Sequence, residues 1–184
     1  MNRWKKLSVA ALALISSALQ SACMGVPEGV DVVDGFEMDR YLGTWYEIAR
    51  LDHSFERGMS DITATYSLRD DGGVAVVNRG YKVAKGEWDD AEGKAYFVGE
   101  TDIGRLKVSF FGPFYGAYNI IELDKEHYEY AMVAGPDTDH LWILARSPKI
   151  DRDLLTTLVE KARRLNFPVD EIIYVDHTRS GDEG

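Results

Sequence analysis

The chain has 184 residues, enough for one sizeable core, and its 45% hydrophobic and 28% charged residues describe an ordinary globular protein. A formal net charge of −10 argues against nucleic acid as a partner and against plain electrostatic adsorption to anionic lipid. Any membrane attachment must then be hydrophobic or covalent, and the single cysteine, Cys23, excludes an internal disulfide.

Arg3, Lys5 and Lys6 precede an apolar run from Leu7 to Leu19, the layout of a secretory signal and too short to span a bilayer comfortably. Its removal leaves the remainder more acidic still. Ser21 and Ala22 then lead to Cys23, and this ending resembles a bacterial lipoprotein signal, in which the cysteine is acylated, as with palmitate, and becomes the mature N-terminus. Gln20 departs from the aliphatic residue that such a box carries three places before the cysteine. A soluble periplasmic protein cut nearby is the alternative. Met24 is not the Asp of inner-membrane retention, which points to the cell outer membrane, facing the periplasm. Residues 1–22 are thus read as signal and 23–38, with Gly25, Pro27, Gly29 and Gly35, as a flexible tether. Residues 39–178 form one barrel domain and 179–184 a disordered tail.

From Gly43 to Arg146 short strands alternate with turn signals at near-regular spacing, the pattern of an antiparallel barrel or sandwich. The first strand runs from Thr44 to Leu51. In the second, Ile62, Ala64, Tyr66 and Leu68 alternate with Thr63, Thr65 and Ser67. Asp70-Asp71-Gly72-Gly73 is the strongest hairpin signal, and Val74 to Val83 returns from it. Trp88 to Val98, Leu106 to Phe110, Tyr118 to Leu123, Tyr128 to Ala134 and Leu141 to Arg146 complete about eight strands. The period then changes. Asp151 can cap a helix whose Leu154, Leu155, Leu158, Val159, Ala162 and Leu165 form one apolar stripe, and Pro168 stops it before a ninth strand, Ile172 to Val175. One helix cannot cover both faces of a sandwich, so a closed barrel carrying one outer helix is expected.

Strand count, helix and first motif together resemble the lipocalins, eight-stranded up-and-down barrels open at one end. Gly43-Thr44-Trp45 matches the family's first motif, and Arg146 matches the arginine that lies over that tryptophan. A guanidinium on an indole gains roughly 0.5 to 2 kcal/mol, so Gly43, Trp45 and Arg146 are expected as the structural seal of the closed end. The second motif survives only as an echo in Asp124 to Tyr128. Tyr41 to Arg50, Thr63 to Leu68, Lys107 to Phe114 and Leu141 to Arg146 look like the bacterial outer-membrane lipoprotein branch, and the resemblance covers about residues 36 to 178.

Alternation places Ala49, Ile62, Ala64, Tyr66, Val108, Phe110, Tyr118, Ile120, Tyr130 and Met132 on the inward face. Small residues beside aromatics suit a lipid-binding cavity or a packed core; the resemblance implies a cavity for fatty acids or lysophospholipids, without a cofactor. Phe55, Trp88, Phe114 and Tyr115 fall on the loops of the expected barrel mouth. There they would guide lipid, rest on a membrane, form a homodimer interface or pack onto neighbouring loops. Trp142 falls on the outward face, under the helix. His53, His127, His140 and His177 show no metal-ligand spacing, and no nucleophile elbow or phosphate loop is present. Glu47 and Glu122 can each be argued inward, where a pair would be an acid/base candidate; charges at strand ends or bulges are the plainer reading.

The sequence therefore reads as a non-enzymatic outer-membrane lipoprotein, anchored through Cys23, that stores or transports fatty acids or lysophospholipids for membrane maintenance. The alternatives are a lipocalin-fold isomerase or de-epoxidase, and a pigment or haem carrier.

Overall fold

The computed structural model describes residues 24–179, so the signal segment, Cys23 and the last five residues lie outside it. Eight antiparallel strands follow one another: β1 (Gly43–Arg50), β2 (Met59–Leu68), β3 (Val74–Lys82), β4 (Glu87–Phe97), β5 (Arg105–Phe111), β6 (Phe114–Leu123), β7 (Tyr130–Ala134) and β8 (Leu141–Ala145). Each pairs with the next, β8 pairs with β1, and β1 with β2, so the sheet closes on itself. Closure removes the unpaired edges that an open sheet of this length would expose.

A helix, α2 (Arg152–Arg164), follows the barrel, after the single turn α1 (Met38–Tyr41) that precedes it. Asp151 caps α2: its Oδ1 accepts the backbone N–H groups of Asp153 and Leu154, both at 3.0 Å. The stripe Leu154, Leu155, Leu158, Val159, Ala162 and Leu165 packs on the outer wall against Ala49, Met132 and Ile143. A two-residue strand, β9 (Ile173–Tyr174), pairs with Ala49 and Arg50 of β1. Beyond Tyr46 the partner of β1 is no longer β2, and β9 takes the free edge. The chain after β9 then reaches β2, where Asp61 N–H donates to the Asp176 carbonyl at 2.8 Å.

Two apolar clusters result, one inside the barrel and one between the barrel and α2. The inner cluster rests on Trp45, which is fully buried and donates its indole N–H to the Tyr41 carbonyl at 2.8 Å. Arg146 covers that ring and donates to the carbonyls of Thr44, Arg40 and Tyr128. Gly43 is needed beside it: its φ is +91°, and a Cβ there would lie 3.4 Å from Arg146 Nη1. The echo of the second motif builds the same end, since Asp124 accepts backbone N–H groups of Glu126, His127 and Glu129 and closes the β6–β7 turn.

The segment before α1 differs from the free tether that its glycines suggest. Residues 24–36 are strapped to the barrel: Phe36 N–H bonds Asp102 O, Val33 bridges Ile120 and Gly104, and Asn119 Nδ2 donates to Gly25 O at 2.9 Å. Phe36, Pro27 and Val30 are buried along this path. Satisfying those backbone groups on the wall offsets the conformational entropy lost by tying the segment down.

Candidate functional site: the barrel lumen and its charged wall

Pairing partners share a face of the sheet, so the register settles which side chains look inward. Ala64 pairs with the buried Trp45, Leu106 with Tyr118, and Ala95 with Val108. Tyr66, Ala64, Val108, Phe110, Tyr118 and Ile120 all lie in the inner cluster. Ile62 also points in, near the position a Cβ on Gly80 would take.

Three expected lining residues do not. Ala49, Tyr130 and Met132 belong to the outer cluster beneath α2. Trp142, expected under the helix, packs with the inner cluster instead. One extra residue explains much of this. Glu47 pairs with Leu144 and Ala49 with Ile143, so Ile48 is a bulge, and Ile48 and Ala49 both face α2. A second bulge at Ile121 leaves Ile120 and Leu123 inside but turns Glu122 out, where it pairs with Lys161 of α2. Glu47 and Glu122 therefore do not form an acid/base pair.

The lower lumen is packed. Between Tyr41, Tyr66, Val76, Leu106, Val108 and Tyr118 only about 10 Å³ is left, room for roughly one water. Three hydroxyls cross it, with Tyr118 at 2.8 Å from both Tyr41 and Tyr66. Burial pushes all three phenols up, which keeps them protonated. Other inward positions are less completely covered. Ala64, Val108, Phe110 and Tyr118 face inward yet keep part of their surface exposed. A Cβ on Gly116, which pairs with Val108, would meet nothing within 4 Å.

The bulge has a second effect. It brings Arg50 to the same face as Trp142, its partner on β8, so Glu47 and Arg50 both enter the barrel wall. The loop after β1 adds His53 and Glu56. Arg50 Nη1 lies 3.6 Å from Glu47 Oε1, Arg50 Nε lies 3.8 Å from Glu56 Oε2, and Arg50 Nη2 donates to the Glu56 carbonyl at 2.8 Å. Glu56 Oε2 also accepts the Trp142 indole N–H at 3.2 Å and touches His53 Nε2 at 3.2 Å. All four charged or titratable residues are buried. Burial, and then the neighbouring Glu56 charge, pushes Glu47 well above the ordinary carboxylate range. Burial also raises Glu56 and lowers His53 from 6.5 to about 4. Both carboxylates are thus pushed towards their neutral forms, which lowers the cost of burying them beside Arg50.

The expected mouth residues separate. Phe55 stacks on His53 with ring centroids 4.3 Å apart, closing the top of this cluster. Phe114 pairs with Phe111 at the tip of the β5–β6 hairpin, and both are strongly exposed. Trp88 instead lies on the outer wall beneath Arg79, and Tyr115 lies there beside Lys107 and Tyr96. His177 bonds the Glu47 carbonyl, His140 bonds Asp137, and His127 is exposed. Among the described residues no group of three His, Cys, Asp or Glu could hold a metal, and no helix is long and apolar enough to cross a membrane. Sequence reasoning missed Arg50 and Glu56; the available sign was a charged residue, Arg50, interrupting the apolar run Ile48 to Leu51.

A barrel sealed at one end by a tryptophan under an arginine, with an apolar lumen opening at the other, defines a binding protein for small hydrophobic ligands. The chain belongs to the lipocalin family, whose lipocalin-like domain matches residues 36–177. It is 54% identical over 162 residues to the outer membrane lipoprotein Blc of Vibrio cholerae, covering 88% of this chain and 95% of that one. To the outer membrane lipoprotein Blc of Escherichia coli K12 it is 55% identical over 154 residues, covering 84% and 86%. Insecticyanin from the tobacco hornworm shares the fold at 20% identity and a TM-score of 0.67, covering 85% of this chain and 88% of that one. The chain is a lipid-binding lipocalin of the outer membrane, held there by a lipid anchor.

Proposed function

We propose that this protein stores or carries single-chain lipids, fatty acids or lysophospholipids, for maintenance of the outer membrane, and that it does so as a binding protein without turnover. The observation that carries the reading is the apolar inward face, where Ala64, Val108, Phe110 and Tyr118 keep part of their surface exposed and a Cβ on Gly116 would meet nothing within 4 Å. An acyl chain burying about ten methylenes there at about 0.8 kcal/mol each binds usefully even after association costs. Glu47 lies beside Arg50 within a buried cluster that also holds Glu56, which favours a structural over an acid/base role. Acylation of Cys23 and a homodimer belong to the same proposal.

Delipidated protein titrated with lysophospholipid, or with a fluorescent fatty acid, tests it. Saturable binding and mutual competition are expected. No saturable signal would remove the lipid-carrier reading, and visible absorbance in protein purified from its native membrane would favour a pigment or haem carrier.

A further inference from the structure

Tyr66 and Tyr118 meet across the barrel. They stand on β2 and β6, four strands apart in a closed barrel of eight, so their backbones belong to opposite walls. Both side chains point inward, since Tyr66 pairs with the buried Val76 and Tyr118 with the buried Leu106. Their hydroxyls are 2.8 Å apart, and that bond spans the lumen as a crossbar. An eight-stranded barrel is just narrow enough for two large side chains to reach one another in this way.

The crossbar is backed by the sealed end. The Tyr41 hydroxyl also lies 2.8 Å from that of Tyr118, and the Tyr41 ring packs on Trp45 with centroids 4.6 Å apart, the same Trp45 that Arg146 covers. Displacing Tyr118 would break both hydroxyl bonds and leave the buried phenols of Tyr41 and Tyr66 unpaired, so the crossbar does not yield cheaply. The lumen changes within one inward step of it. Away from the seal, the next inward residue after Tyr66 on β2 is Ala64, and after Tyr118 on β6 it is Gly116. The two largest obstructions on opposite walls thus give way to two of the smallest residues, and of the three tyrosines only Tyr118 keeps part of its surface exposed.

We propose that the Tyr66–Tyr118 crossbar is the depth stop of the lumen and sets the length of acyl chain that the protein prefers, with the methyl end of the chain beside Ala64 and Gly116 and against the Tyr118 ring. This rests on the lipid-carrier reading and names the part of the ligand that is selected. Each methylene added to a chain that ends short of the crossbar is buried, which strengthens binding about fourfold. Once the methyl group meets the crossbar, a further methylene has to stay outside the lumen, and the gain stops.

Affinities of the delipidated protein for saturated fatty acids of increasing length, each below its micelle-forming concentration, read the stop directly. A rise of about fourfold per methylene that ends at one chain length is expected. Tyr118→Ala, with its fold checked by circular dichroism, should move that end point to longer acids. A rise that continues through the longest soluble acid overturns the proposal, and so does an end point that Tyr118→Ala leaves in place. A fatty acid carrying a diazirine at its methyl end gives a second measurement on the unaltered protein, whatever the variant's stability. Photolabelling at Ala64, Tyr66, Gly116 or Tyr118 is expected, and labelling confined to other segments overturns the proposal. Absence of saturable binding by every acid would remove the lipid-carrier reading itself, whereas binding without an end point removes only the depth stop.

Discussion

The Arg146 guanidinium lies 4.0 Å from the centroid of the Trp45 ring, joining the first and last strands of the barrel at its closed end. Trp45 is wholly buried and Arg146 also bonds three backbone carbonyls, so this pair is structural. Trp45→Ala is expected to cost about 3–5 kcal/mol in urea denaturation, with ligand affinity of the remaining folded protein changed little. Arg146→Lys loses the stack and part of the carbonyl network and is expected to cost about 1–2 kcal/mol. Selective loss of binding in a fully stable Trp45→Ala protein would contradict the assignment.

The lumen around Gly116 offers a separation in the other direction. Nothing lies within 4 Å of a Cβ at this position, so Gly116→Leu is expected to keep the melting temperature within a few degrees while obstructing the upper lumen. Affinity for a fluorescent fatty acid should fall by about tenfold or more, as expected when about 1.4 kcal/mol or more of binding energy is lost. Unchanged affinity would place the ligand elsewhere.

Removing the cation from the buried cluster should be far worse than neutralising Glu47. Arg50→Met leaves Glu56 without its partner and is expected to cost about 3–5 kcal/mol at neutral pH. Glu47→Gln replaces a carboxyl whose charged form burial already penalises and should cost less than about 1 kcal/mol. Urea midpoints of the two variants at one pH decide the comparison.

His53 gives the cluster a pH dependence of known sign. Its pKa in the folded protein is about 4 against 6.5 for the free side chain, so between these values the unfolded state binds more protons. Stability is expected to be lost as pH falls from about 6.5 towards 4, by an amount on the order of 3 kcal/mol. His53→Phe should flatten that part of the stability curve; an unaltered slope would assign it to other groups.

The strand-by-strand layout was readable because a hairpin barrel is encoded locally. Alternation over Ile62 to Leu68, the Asp71-Gly72 turn and the change to a helical stripe after Asp151 each report a nearby backbone conformation. The Trp45–Arg146 seal was readable through family resemblance. By contrast, the strap of residues 24–36 looked like a tether, because glycine and proline content does not reveal bonds to Asn119 or Asp102.

The amino-acid sequence by itself determined the closed antiparallel barrel and its outer helix, and family resemblance supplied the sealed end. Tertiary structure decided which residues face the lumen. A strand's period of two holds only until one residue is added, and the bulges at Ile48 and Ile121 exist because of how β1 meets β8 and β6 meets β7. Through them Ala49 and Met132 went to the helix side, Glu122 went to Lys161, and Arg50 came in to meet Glu47 and a glutamate from the following loop. Cross-strand register is a relation between distant segments, and no local pattern in either one contains it.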